Sequence, residues 1–357
     1  MKKTILLFTS ASVLLLGSCK KEEVDTKPKN FDELKTRVIF NFAEDVAMRT
    51  YGDVNNAAIK FATSVENFYI SGLQGDLNKV KDNYKTLRAA WEQSSSFHFG
   101  PVNKGSYGSK LDTWPTNFGN IESLLSGSNN LEVSDIEKLP NDLKGFHAIE
   151  YMIYGFNSLR TAADYNSRDK QYMLSLSRDI QNNCLNIFND WTAGTSAYGY
   201  GIIYTGTTST AFKTKKELFS AMVNNMNDLC KKLVADNLGK PYDAIDSTIV
   251  ESPYSQMSFS DIAYNIASVK NVYTGRYNNS TGYGLKDIVK DKNNGLDGKI
   301  GTRMAAVDSA LAAIKMPLDS AIYFKRAETK IAIDAIDSLR STIEMELIPF
   351  ISQNIND

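Results

Sequence analysis

His147 and Glu150 are the two residues whose types and spacing point most directly to chemistry. They lie three positions apart in the run Phe146-His147-Ala148-Ile149-Glu150-Tyr151-Met152-Ile153-Tyr154-Gly155-Phe156, which holds no other strongly ionisable side chain. Apolar and aromatic residues fall on every side of the run, so as a helix it should be buried on most faces. The histidine and the acid then project from one side and can share a ligand. A buried carboxylate costs several kcal/mol unless it is protonated or compensated. Three groups could compensate Glu150: His147 as imidazolium, an Arg or Lys from another helix, or a bound metal cation. Imidazole with carboxylate suits iron or zinc, and a cation would hold both in their ligating forms. The plainer alternative is a structural His–Glu hydrogen-bonded pair, and the spacing by itself leaves both open.

Several function classes fall away by count. The chain has two histidines, His98 and His147, so the His-Glu-x-x-His of a zincin peptidase is absent. No Gly-x-Ser-x-Gly elbow occurs, and no Gly-Lys-Ser or Gly-Lys-Thr follows a glycine run. With 40 Lys and Arg against 41 Asp and Glu, the net charge is -1. No basic excess supports a nucleic-acid partner.

The elements that must position such a pair read as helices. Leu77, Val80, Tyr84, Leu87 and Trp91 share one helical face, as do Leu176, Ile180, Cys184, Ile187 and Trp191. Leu218, Met222, Met226, Leu229 and Leu233 form a third stripe behind a capping box at Thr214 and Glu217. Ala332, Ile336, Leu339, Ile343 and Leu347 form a fourth, expected to close at Pro349, and Asn30 with Glu33 should cap the first long helix. The polar, glycine-rich stretches 100–108, 192–210 and 278–301 read as connections, with 194–208 a hairpin or ordered loop. The expected fold is all-α, two helical-bundle halves at 31–195 and 211–357. Cys184 and Cys230 could be bridged in an oxidising compartment or remain buried free thiols.

The N-terminus has a separate reading. Lys2 and Lys3 precede an apolar Ile5–Leu16 core, which ends at Leu16-Gly17-Ser18-Cys19. This is the form of a lipoprotein signal over residues 1–18, with Cys19 as the lipidated first residue. Residues 19–30, charged and containing Pro28, read as a flexible tether. Lys20 follows the lipidated cysteine, so the outer membrane is expected, facing either the periplasm or the cell surface.

The segment Gly145-Phe146-His147-Ala148-Ile149-Glu150 resembles the Gly-x-His-x-x-Glu signature of the imelysin family, and three further segments resemble that family in order. They are Ala90-Trp91-Glu92 with Phe97-His98-Phe99-Gly100-Pro101-Val102, then Asp112-Thr113-Trp114-Pro115. The last is Glu251-Ser252-Pro253-Tyr254-Ser255 with Ser258, Asp261, Asn265 and Tyr273-Thr274-Gly275. The resemblance implies two bundle-like halves around a shared cleft, and a role in iron acquisition. It carries over Gly145, His147 and Glu150, and adds Glu92, Asp112 and Asp261 as oxygen-bearing candidates. One departure is the serine run Ser94-Ser95-Ser96, where many relatives carry a Glu. On this reading His147 and Glu150 bind iron or zinc, and Asp112 or Glu92 completes the set. Gly145 would allow close approach by another backbone or a ligand. The expected partners are the membrane through Cys19, a metal ion or iron-containing ligand, and an outer-membrane iron-uptake receptor. The alternatives are a metallopeptidase using His147 and Glu150, and a partner-binding module with a purely structural pair.

Overall fold

A computed structural model describes residues 27–156 and 158–356, and these contain helices and no strand. The signal segment and Cys19 lie outside the described residues, as does most of the tether. Helix α1 (Phe31–Asn41) starts where the Asn30 side chain accepts from the Glu33 amide at 2.9 Å, so the expected cap is present. It passes through a π-helical turn, Phe42–Met48, into α2 (Arg49–Ser71). The other long elements are α3 (Gln74–Glu92), α4 (Gly145–Tyr154), α5 (Ser167–Thr192) and α6 (Lys215–Lys232). After them come α7 (Ser258–Thr274), α8 (Asn294–Ala313) and α9 (Arg326–Thr342). No described helix is long and apolar enough to cross a membrane.

All four apolar stripes are buried. The capping box at Thr214 and Glu217 opens α6 as expected. Helix α2 packs against both α3 and α5, and α4 rests on α5 and α3. In the second half, α9 packs on α8 and α6, while α7 lies along α3. That last pairing matters most for the site. It sets Asp261 and Asn265 of α7 against the face of α3 that carries Arg88 and Glu92.

Three local expectations change. Pro349 does not end the last helical stretch: a π-helical turn, Ile343–Leu347, precedes it, and Ile348–Asn354 continues as helix. The backbone stays helical on both sides of it, Leu347 and Ile348 included, and the π-helical turn just before the proline is where the ladder adjusts to its missing N–H. The stretch 194–208 forms no hairpin; it holds the short helix Tyr198–Ile203 packed on α5. The connection 278–301 becomes helical from Leu285, because Asp287 accepts from the Gly284 amide and opens a helix with buried Leu285, Ile288 and Val289. Cys184 and Cys230 are buried free thiols. Burial pushes the Cys230 thiol up to about 12, which keeps it protonated and unreactive.

His98 is half-buried, with Nε2 2.7 Å from Ser94 Oγ and its ring 4.6 Å from that of Trp91. Burial pushes its imidazole down to about 4. A folded-state pKa below the unfolded value means the unfolded chain binds the proton first. The resulting stability is complete above about pH 6.5 and is lost as pH falls toward 4, up to about 3 kcal/mol. Urea melts at pH 7 and pH 4.5 should therefore show a smaller acid loss for His98→Gln than for the native chain. Equal acid losses would contradict this assignment.

Candidate metal centre

The site begins with Gly145. Its φ is +77°, and a Cβ there would stand 2.4 Å from the Leu111 carbonyl oxygen and 2.7 Å from that of Lys110. Only glycine lets these backbones meet, and the contact sets Asp112, the next residue, beside the first turn of α4. All ten residues of α4 are buried, including His147 and Glu150. Glu150 Oε1 accepts from both the amide (2.8 Å) and the hydroxyl (2.7 Å) of Ser255, and Oε2 lies 3.3 Å from His147 Nδ1. The acid therefore sits behind the imidazole and sets its orientation. The opposite nitrogen, Nε2, faces Asp112 Oδ1 and Glu251 Oε1, each at 3.3 Å.

Nε2 is buried, and its alignment to these oxygens is too poor for a hydrogen bond. One ligand atom each from Asp112, His147 and Glu251 lies within 4.8 Å of the others. Two donors about 2.1 Å from one ion, at tetrahedral or octahedral angles, stand about 3.0–3.4 Å apart. The 3.3 Å separations match that spacing. One imidazole with two carboxylates is a donor set that iron and zinc both accept.

Around the triad, each acid has a donor. Arg88, almost fully buried, ion-pairs with Asp112, Glu92 and Asp261, the last at 3.0 Å. Trp91 Nε1 donates to Asp112 Oδ2 at 2.9 Å, Ser252 Oγ to Asp261 at 2.7 Å, and Asn265 to Glu92 at 2.8 Å. Asn237 donates to Glu251. The charges remain unequal: Glu92, Asp112, Glu150, Glu251 and Asp261 are set against Arg88, the His147 imidazole and, at the edge, Lys232. One guanidinium cannot neutralise three acids, and burial pushes the Glu92 carboxyl up to about 8 against the pull of Arg88. Burial likewise raises Asp261. For Asp112, burial is outweighed by Arg88 and His147, which hold its carboxyl well below the usual range. Burial pushes the His147 imidazole down, yet Asp112, Glu150 and Glu251 together hold it well above the histidine range.

Of the residues singled out in the sequence, His147 and Asp112 meet at the triad and Glu150 supports the imidazole from behind. Glu92 and Asp261 belong to the Arg88 network, and Gly145 is where the backbones touch. Ser94 and Ser96 bond within the scaffold, to the Trp91 carbonyl and to Ser268. Sequence reasoning did not single out Glu251, Arg88 or Ser255 for the site. Glu251 and Ser255 stand in the quoted Glu-Ser-Pro-Tyr-Ser segment. Arg88 is in the row Tyr84, Arg88, Glu92, spaced i, i+4 along a buried face, a signal that was available.

Iron-regulated protein A of Synechococcus elongatus is 21% identical over 323 residues, covering 89% of this chain and 87% of that protein. A crystal structure from Parabacteroides distasonis, provisionally described as an iron-regulated protein A precursor, superposes with a TM-score of 0.80. It is 23% identical, over 93% of this chain and 97% of that one. An imelysin-like protein from Psychrobacter arcticum gives a TM-score of 0.72 at 16% identity, over 90% and 96% of the two chains. These likenesses establish the helical fold. The family model described as Imelysin matches residues 47–344, most of the described chain, and on that match the chain belongs to the imelysin family.

Proposed function

We propose that this chain is a lipoprotein of iron handling, tethered to the outer membrane through Cys19, that binds an iron or zinc cation on His147, Asp112 and Glu251. The observation that carries the reading is His147 Nε2, buried without a hydrogen bond between two carboxylate oxygens at 3.3 Å. An ion there would supply the positive charge that the surrounding acids lack. Glu150 would hold the ring so that Nε2 faces the ion. Two relatives are named as iron-regulated, and on that name this reading favours iron over zinc. An outer-membrane uptake receptor is the partner this reading implies. A peptidase reading gains no support: Glu150, the acid it would use as general base, is fully buried with both oxygens engaged.

The test is elemental analysis of protein purified without added metal, together with melting curves in zinc or iron(II). The native chain should retain metal and melt higher when it is added. His147→Ala and Glu251→Ala should lose both properties, and Glu150→Gln should bind about 10–100-fold more weakly. Because Nε2 must release its proton on binding, affinity should climb as pH rises. Equal melting shifts in native and His147→Ala protein would remove the site from this position.

A further inference from the structure

Beside the triad lies a cavity of about 440 Å³ whose wall includes Asp112, Trp114, Lys232, Asp236, Lys240 and Glu251. One water molecule takes up about 30 Å³ of liquid, so a bare ion needs only a small part of this space. Two of the three triad residues, Asp112 and Glu251, line it. Three protein donors would leave a four- to six-coordinate ion with open positions, and the cavity that Asp112 and Glu251 line is the space from which a further ligand would reach it. Trp114 closes one side, its ring edge-on to His147 at 5.1 Å.

The charges on this wall point to what enters. Asp112, Asp236 and Glu251 face Lys232 and Lys240, with Lys240 Nζ 2.6 Å from Asp236 Oδ1. The wall itself carries one negative charge in excess, which the imidazolium of His147 offsets while no metal is bound; a divalent ion takes the place of that proton and leaves one positive charge, a trivalent ion two. An anion therefore gains nothing from the metal-free site and is attracted to the loaded one. Lysines beside a cation site would oppose a bare ion, but they suit the outer carboxylates of a ligand already bound to it.

We infer that the site takes its metal together with a small polycarboxylate, whose oxygens fill the open coordination positions while Lys232 and Lys240 hold its remaining charge. This rests on the metal reading above and extends it. Cation and anion then raise each other's affinity by the same factor.

Equilibrium dialysis of the native chain with separately labelled iron(III) and citrate tests the inference, and zinc without citrate serves as the bare-ion control. Citrate alone should not be retained, whereas iron with citrate should be retained one to one. Lys232→Gln and Lys240→Gln should weaken citrate retention at least about tenfold while zinc still raises their melting temperatures. Zinc binding accompanied by citrate that only strips iron away, or lysine variants that retain citrate normally, would overturn the inference and leave the metal site standing. Failure to bind zinc or iron under any condition would instead remove the metal reading itself.

Discussion

Arg88→Leu is expected to lower stability by about 3–5 kcal/mol, the cost of removing one partner from a buried ionic network. The guanidinium is almost fully buried and meets Asp112, Glu92 and Asp261. Leucine keeps much of the volume but leaves three buried carboxylates without their cation. Their remaining relief is to take up protons, and Glu92, at about 8, is already the readiest to do so. Carboxyls with raised folded-state pKa values stabilise the fold when protonated and oppose it once ionised. The gap between variant and native chain should therefore widen from pH 5.5 to pH 8, as read by urea midpoints. Arg88→Lys restores one charge but not the planar fork that spans three acids, so it should fall between the two. A loss below about 1 kcal/mol, or one that does not change with pH, would show that the acids do not depend on this cation.

Gly145→Ala should damage fold and site together. Left-handed backbone costs a non-glycine residue about 1–3 kcal/mol. The new methyl would also meet two backbone oxygens that cannot rotate away, at 2.4 and 2.7 Å. A loss of at least about 2 kcal/mol follows by thermal or urea denaturation. Because the displaced carbonyls belong to the residues just before Asp112, that carboxylate should retract from His147, and zinc affinity should fall tenfold or more. Gly72 provides the control. Its φ is +63°, but a Cβ there would meet nothing closer than the Lys170 ammonium at 3.7 Å. Gly72→Ala should thus show only the backbone cost and keep metal affinity, so equal metal losses in both variants would point to general destabilisation.

The helical class follows from the sequence alone. Four apolar stripes at helical spacing must each bury one face, and every one is buried in the structure. The isolation of His147 and Glu150 within an apolar run was equally legible, because ionisable groups there have no solvent to turn toward. Helical spacing says that two side chains share a face, but not which atom points where. Ser255, from the other half of the chain, takes one oxygen of Glu150, and the second faces the near side of the imidazole. Nε2 is thereby left to Asp112 and Glu251, a loop acid with no periodicity to mark it. Pairing of Ser258–Thr274 with Gln74–Glu92 likewise sets Asp261 beside Arg88, a contact between segments far apart in sequence. Local pattern therefore decided which residues had to be buried. Only the tertiary structure decided which of them face one another, because that depends on how segments far apart in sequence pack together.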